Sequence, residues 1–325
     1  MKTMLKNIFY FSVFAILSLN ASWAQPWPTK QPIKIIVPYP AGGAADVTAR
    51  ILAVKLGIAI NQSVVVENRA GANGVIGLDY VAKSMPDGYT LLATNLSSHG
   101  TGPAVSRKLP YDPINDFSPI MLTSLVPMVL VTRPNFPAKS ISELIAYAKS
   151  NPGKVTIASA GNGSSNHLAS ELLNSMAAIK MLHVPYKGDT PAMLDVMSGT
   201  VDVMLPSIVA ATPHLKSGKL KAIAMGGASR SPYWPDLPTI SESGVNGYVG
   251  ATWGGLLAPA GTPNEIIAKL NTEITRILRS QEVQTQLAGL GAEINPTSPE
   301  EFKRFLRSEI DKWTKVAAVN NIVID

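Results

Sequence analysis

The chain has 325 residues, with 28 Lys and Arg against 22 Asp and Glu for a net charge of +6, and those charges form no basic run of the kind nucleic-acid binders use. It contains no cysteine, which excludes disulfides and a lipidated N-terminal cysteine. The length suits two domains or one large one, and the mild positive balance helps draw in anions.

The first element is a leader. Lys2 and Lys6 precede an apolar run from Ile8 to Leu19, and Ser22-Trp23-Ala24 is a small-x-small site followed by Gln25. This layout predicts a secretory signal peptide over residues 1–24, cleaved after Ala24, since the run is about a dozen residues where a membrane span needs roughly 20. No twin-arginine pair precedes it, so the general secretory route is expected.

Beyond the prolines Pro26, Pro28 and Pro32, a strand is predicted over Ile33 to Val37 and a helix over Val47 to Leu56. A strand at Val64 to Val66, a helix from Val75 to Lys83 and a strand from Thr90 to Thr94 follow. Strands alternating with helices predict a parallel sheet covered on both faces.

A second series starts near Val126. Strands are expected at Val129 to Thr132, Val155 to Ala158, Met181 to Val184, Val201 to Leu205 and Leu220 to Met225. Helices alternate with them at Ile141 to Lys149, His167 to Met176, Pro191 to Met197 and Ala210 to Ser217. Ser140 with Glu143 forms a capping box for the first of these helices. The series reads as a doubly wound α/β unit.

From Ser231 to Pro263 the chain is rich in Pro and Gly. Two helices follow, Asn264 to Arg279 and Pro299 to Val319, the latter entered through Ser298 as N-cap with Pro299 at the first helical position. With no strands of their own between them, they are expected to pack back on the first unit. That return predicts lobe 1 from residues 25–126 plus 248–325 and lobe 2 from 127–247, with a ligand cleft between them.

Two segments match when laid side by side, Val37 to Asp46 and Ile157 to Asn166. Each reads as strand, glycine turn, Asx residue and helix, placing a helix N-terminus and free backbone N–H groups at the carboxyl end of a strand. One such end favours an anion by about 0.3 to 1 kcal/mol when exposed and about 2 when partly buried. Micromolar affinity needs about 8 kcal/mol, so several charge-assisted hydrogen bonds must converge. Facing loops on two lobes would supply them. Thr94 to His99 adds hydroxyls, with Ser97 and Ser98 as candidates, and Pro185 to Thr190 offers Lys187, Gly188 and Asp189. Each loop also fits a plain helix cap or turn, and Asp46 can equally pair with Arg50 one turn on.

Other chemistries fit poorly. Gly161-x-Gly163 lacks the third glycine and the following acid of a dinucleotide site, and no phosphate-binding loop is present. His99, His167, His183 and His214 show no metal-ligand spacing, so no metal is expected. Ser159, Ser164 and Ser165 sit in no Gly-x-Ser-x-Gly elbow, so a periplasmic enzyme is the weakest reading.

The motifs Pro32 to Asp46, Val65 to Gly71, Pro86 to Thr90, Leu109 to Phe117, Gly161 to Leu168, His183 to Gly188, Leu237 to Glu242 and Ala258 to Pro263 together resemble the Bug-type, or tripartite tricarboxylate transporter, substrate-binding proteins. The resemblance covers nearly the whole chain after the leader. It implies a two-lobed Venus-flytrap fold of the periplasmic binding proteins, type II-like, with doubly wound α/β sheets and two crossovers. It also implies a small organic acid gripped by one carboxylate, partly through ordered water, and no cofactor. Carried over by position, the ligand-binding residues would be Tyr39, Ala41, Gly42, Gly43 and Asp46 in the first loop and Ser159, Gly161, Gly163, Ser164, Ser165 and His167 in the second, with Lys187, Gly188 and Asp189 nearby. Many members carry hydroxyl residues just before the aspartate, where this chain has Ala44 and Ala45; that departure places more of the grip on backbone N–H groups and water. The expected partners are the permease subunits of a tripartite tricarboxylate transporter, with the protein itself a periplasmic monomer. A sensor that presents ligand to a membrane signalling partner is the alternative.

Overall fold

The computed structural model describes residues 27–289, 291–319 and 321–323, so the expected leader and its cleavage site lie outside the described residues. Strand β1 (Ile33–Val37) leads into helix α1 (Ala44–Ile60), followed by β2 (Val64–Asn68), α2 (Val75–Ala82) and β3 (Thr90–Asn95). Ile33, Ile35 and Val37 pack with Leu52 and Leu56 of α1, whereas Ile36 turns to Leu78 and Val81 of α2. That alternation is the period-two geometry of a strand covered by helices on both faces. α1 begins three residues earlier than its apolar pattern suggests, which puts Asp46 inside the first helical turn.

A π-helical turn (Ser97–Thr101) and the short α3 (Gly102–Val105) follow. Next comes β4 (Phe117–Pro127), an eleven-residue strand that runs directly into β5 (Val129–Thr132). The second series is then α4 (Ile141–Ser150), β6 (Thr156–Ser159), α5 (Ser165–Ala177), β7 (Leu182–Pro185), α6 (Asp189–Ser198), β8 (Val203–Met204), α7 (Ile208–Lys216) and β9 (Lys221–Met225). The Ser140 cap is present, with Glu143 N–H donating to Ser140 Oγ at 3.2 Å. Glu143 Oε2 reaches back one residue further than a capping box requires, to Lys139 N–H at 2.8 Å.

The Pro- and Gly-rich stretch conceals β10 (Ala251–Pro259). After it come α8 (Asn264–Leu278), α9 (Gln281–Ala288), the two-residue β11 (Glu293–Ile294) and α10 (Pro299–Val319). A short strand therefore does stand between the last helices, contrary to expectation. The capping box of α10 is complete, with Glu301 N–H on Ser298 Oγ at 3.2 Å and Ser298 N–H on Glu301 Oε2 at 2.8 Å.

The strands form two sheets, six-stranded β11-β4-β10-β3-β1-β2 and five-stranded β7-β6-β8-β5-β9. Neither is wholly parallel. β1 pairs in parallel with β2 and β3, while β10 is antiparallel to both β3 and β4. In the smaller sheet β6 is parallel to β7 and β8, while β5 is antiparallel to β8 and β9. The reason is the route of the chain. The parallel strands finish at the edge facing the other sheet, and a strand that has just crossed over starts at that edge and must run the opposite way.

The crossing points are tied together by backbone. Gly226 N–H donates to Met128 O at 2.7 Å, Gly250 N–H to Gly226 O at 2.7 Å and Met128 N–H to Gly250 O at 3.1 Å. A Cβ on Gly226 would collide with Gly250 O, so only glycine allows the three segments to lie this close. At the tail, Phe302 and Trp313 of α10 are fully buried against the larger sheet, and Trp253 Nε1 donates to Glu309 Oε2 at 3.0 Å.

Candidate functional site

The turn after β1 is built by its own side chains. Gly42 takes φ +93°, a conformation open to glycine, and its N–H donates to Asp46 Oδ2 at 3.0 Å. Arg50 donates to both Asp46 oxygens, at 3.0 and 2.9 Å, and Asn68 Nδ2 donates to Asp46 Oδ1 at 2.9 Å and to Tyr39 O at 3.0 Å. Burial works to raise the Asp46 pKa, but the hydrogen bonds from Arg50, Gly42 and Asn68 outweigh it and hold the carboxyl below the usual range. Asp46 is thus neutralised from within and serves to set the turn. Gly43, the N-cap of α1, brings no side-chain cap, and Val47 N–H is the first to find an intrahelical acceptor, Gly43 O at 3.0 Å. The N–H groups of Ala44 and Ala45 therefore have no intrahelical acceptor at the positive end of a seventeen-residue helix.

The matching turn after β6 is organised differently. Ser164 caps α5, with His167 N–H on its Oγ at 3.4 Å, and Ser164 Oγ donates to Gly161 O at 2.7 Å. Gly161 N–H donates to Ser159 Oγ at 3.1 Å, Gly163 N–H to His167 Nδ1 at 3.1 Å and Ala160 N–H to Asn166 Oδ1 at 3.3 Å. Short polar side chains within reach of the backbone have taken up these amides. His167 stacks on His183 with centroids 3.9 Å apart, and His183 Nε2 lies 2.6 Å from Ser159 Oγ. Burial, with His183 alongside, lowers the His167 pKa to about 4, and burial lowers that of His183, so both rings are neutral at neutral pH.

The two turns border one gap, and neighbouring segments bridge it. Ser165 N–H, at the first position of α5, donates to Ser97 Oγ at 3.0 Å, and the two hydroxyls are 3.0 Å apart. Thr190 Oγ1 donates to Ala41 O at 3.5 Å, and a Cβ on Gly188 would stand 3.3 Å from Pro40. Between them lies a cavity of about 80 Å³, several times the roughly 10–15 Å³ that one water needs.

Tyr39, Gly43, Asp46, Ser97, Ser165, Gly188 and Asp189 line it, as sequence reasoning places them together. Ala41, Gly42, Ser98, Ser159, Gly161, Gly163, Ser164, His167 and Lys187 do not; they build or flank the turns around it. Ser98 Oγ, for example, bonds to Thr94 Oγ1 at 2.8 Å and accepts from Asn95 N–H at 3.0 Å, holding the turn that carries Ser97. The Tyr39 hydroxyl is buried beside Ser97 and Ser98 yet meets neither at hydrogen-bonding geometry, and burial pushes its pKa far up, so it remains a protonated donor without a partner.

Several lining residues escaped sequence reasoning, among them Thr123, Ser124, Ser207 and Thr252, whereas Thr94, Asn95 and Asn166 lie within the candidate loops without having been singled out as ligand residues. Thr123, Ser124 and Thr252 lie on β4 and β10, the two strands hidden by Pro119 and by Gly254-Gly255. A register shift between Gly254 and Gly255 bends β10 at the cavity wall. Small hydroxyls in the middle of otherwise apolar strands were the available signal. Ser207 caps α7 through Ala210 N–H at 3.2 Å. The ionisable carboxyls on the wall are Asp46 and Asp189, and no Lys, Arg or His lines it among the described residues. No cluster with metal-ligand character occurs among them either.

A family model described as the tripartite tricarboxylate transporter family receptor matches residues 48–322. BugT of Bordetella pertussis is 40% identical over 296 residues, covering 90% of each chain. The solved structure of Rpa4515 from R. palustris with adipate superposes with a TM-score of 0.89 at 37% identity, over 91% of this chain and 99% of that one. The periplasmic binding protein BugD gives 0.85 at 35% identity, over 90% and 99%.

Proposed function

Because the chain belongs to the tripartite tricarboxylate transporter receptor family, we propose that it captures a small organic carboxylate in the cavity between its two sheets and delivers it to the permease subunits of a tripartite tricarboxylate-type membrane transporter. Its relatives are two-lobed periplasmic binding proteins, and like them it is a binding protein and not an enzyme. In this reading the chain is made with a signal peptide cut after Ala24, reaches the periplasm by the general secretory route and works as a monomer. Residues 25–126 with 248–325 form one lobe and 127–247 the other. The grouping of β1–β4, β10 and β11 in one sheet and β5–β9 in the other supports that division.

One observation carries the ligand class. The first turn of α1, with two amides that have no intrahelical acceptor, lines a cavity whose other polar groups are mostly small hydroxyls and amides, with Asp46 already paired to Arg50, so that end of the cavity favours a carboxylate. Rpa4515 was solved with adipate, in keeping with that chemistry. Ligand drives the lobes together only by binding better to the closed form, and Ser97 with Ser165 and Thr190 with Ala41 are contacts already made across the gap. A thermal-shift screen against mono-, di- and tricarboxylates tests this. A ligand at about 100 times its Kd stabilises by about 2.7 kcal/mol, a rise of several degrees for a protein of this size. A screen in which no carboxylate moves the melting temperature would refute the reading.

A further inference from the structure

The two carboxylates on the cavity wall are not equivalent. Asp46 has its cation, Arg50, at 2.9 Å. Asp189, the first residue of α6, has no basic side chain within 4 Å among the described residues. Its Oδ1 accepts a hydrogen bond from Asn166 Nδ2 at 3.1 Å, and Asn166 is itself held by Leu205 O at 3.1 Å and by Ala160 N–H. Its Oδ2 looks across the gap, 4.0 Å from where a Cβ of Gly43 would stand. The α6 N-terminus offsets part of this charge, but burial still works against it: the Asp189 pKa is raised, with Asn166 alone opposing.

An entirely anionic guest seated on α1 would thus bring its carboxylate against a second, unmatched one, in a cavity where no basic side chain among the described residues separates them. A guest that carries an ammonium close to its carboxylate removes the conflict and supplies Asp189 with the partner it lacks. Resting on the carboxylate reading above, we propose that this cleft selects zwitterionic carboxylates, amino acids above all, with the guest's carboxylate on the first-turn amides of α1 and its ammonium on Asp189 Oδ2. The short span from Gly43 to Asp189 requires both groups on the same or adjacent carbons. Asn166 orients the Asp189 carboxylate, and Asp189 is the residue that sets specificity.

The test is titration calorimetry on the full mature chain with the twenty amino acids and their des-amino acids of the same skeleton, such as aspartate with succinate and glutamate with glutarate. At least one amino acid is expected to bind ten-fold or more tightly than its des-amino counterpart. Asp189→Asn should reduce that preference by about ten- to a hundred-fold, the worth of one charge-assisted hydrogen bond, and should tighten binding of the dicarboxylate. If Asp189→Asn does not fold, Asp189→Ser, which suits the first position of a helix, repeats the measurement. Des-amino acids that bind as well as their amino partners, with a ratio unchanged by the substitution, overturn the zwitterion assignment and leave the carboxylate reading standing. Failure of every carboxylate, with or without an amine, overturns both.

Discussion

Replacing Ala44 by proline removes one N–H from the end of α1 and little else. Ala44 is the first residue of the helix, where proline's fixed φ suits the helix and the missing N–H had no intrahelical acceptor. The residue before a proline must be extended, and Gly43 already is, at φ −77° and ψ 168°. The fold should therefore accept the change, and the melting temperature of the ligand-free protein should stay close to wild type. Binding should not. A hydrogen bond from this N–H to a carboxylate is worth about 1.5–3 kcal/mol, so affinity should fall about 10- to 150-fold. Calorimetry with the carboxylate that most raises the wild-type melting temperature reads the loss directly. An affinity within twofold of wild type, with unaltered melting, would show that the end of α1 does not hold the ligand.

Three further outcomes follow from the same geometry. Asp46→Asn loses the charge pair with Arg50 and weakens the tie to Gly42, so it should lower both ligand affinity and stability near neutral pH. Because the Asp46 pKa is depressed on folding, its contribution is present above the unfolded value of about 3.9 and is lost as pH falls below it; the wild-type and variant melting temperatures should converge there. His167 runs from an ordinary value of 6.5 to about 4 in the folded state, so the unfolded chain binds the extra proton between them and stability should fall as pH drops from about 6.5 to 4. His167→Asn, whose Oδ1 can replace Nδ1 as acceptor for Gly163 N–H, should melt with a shallower pH slope over that window, as followed by circular dichroism. Gly226→Val drives a side chain into Gly250 O at the crossing and should cost about 1–3 kcal/mol, typical of overpacking, seen as a lowered urea midpoint.

The sequence by itself determined the elements whose signals are local. The apolar strands Ile33–Val37 and Val129–Thr132 and the N-caps at Ser140 and Ser298 are written in neighbouring residues, and so are the two glycine turns. The order of elements together with the family motifs pointed to two α/β units. β4 and β10 were invisible because Pro119 and Gly254-Gly255 mask their strand character, and what makes them strands is pairing with residues more than a hundred positions away. The sense of each crossing strand, and hence the mixed sheets, likewise exists only once the chain has passed between the sheets. The site divides along the same line. Local pattern pointed to the α1 turn as a candidate place for an anion, but only the assembled structure decided that Asp46 answers to Arg50, that the β6 turn uses its amides internally, and that Asp189 faces α1 with no cation beside it among the described residues. A side chain's partners are set by which surfaces are brought together, and that is a property of the fold.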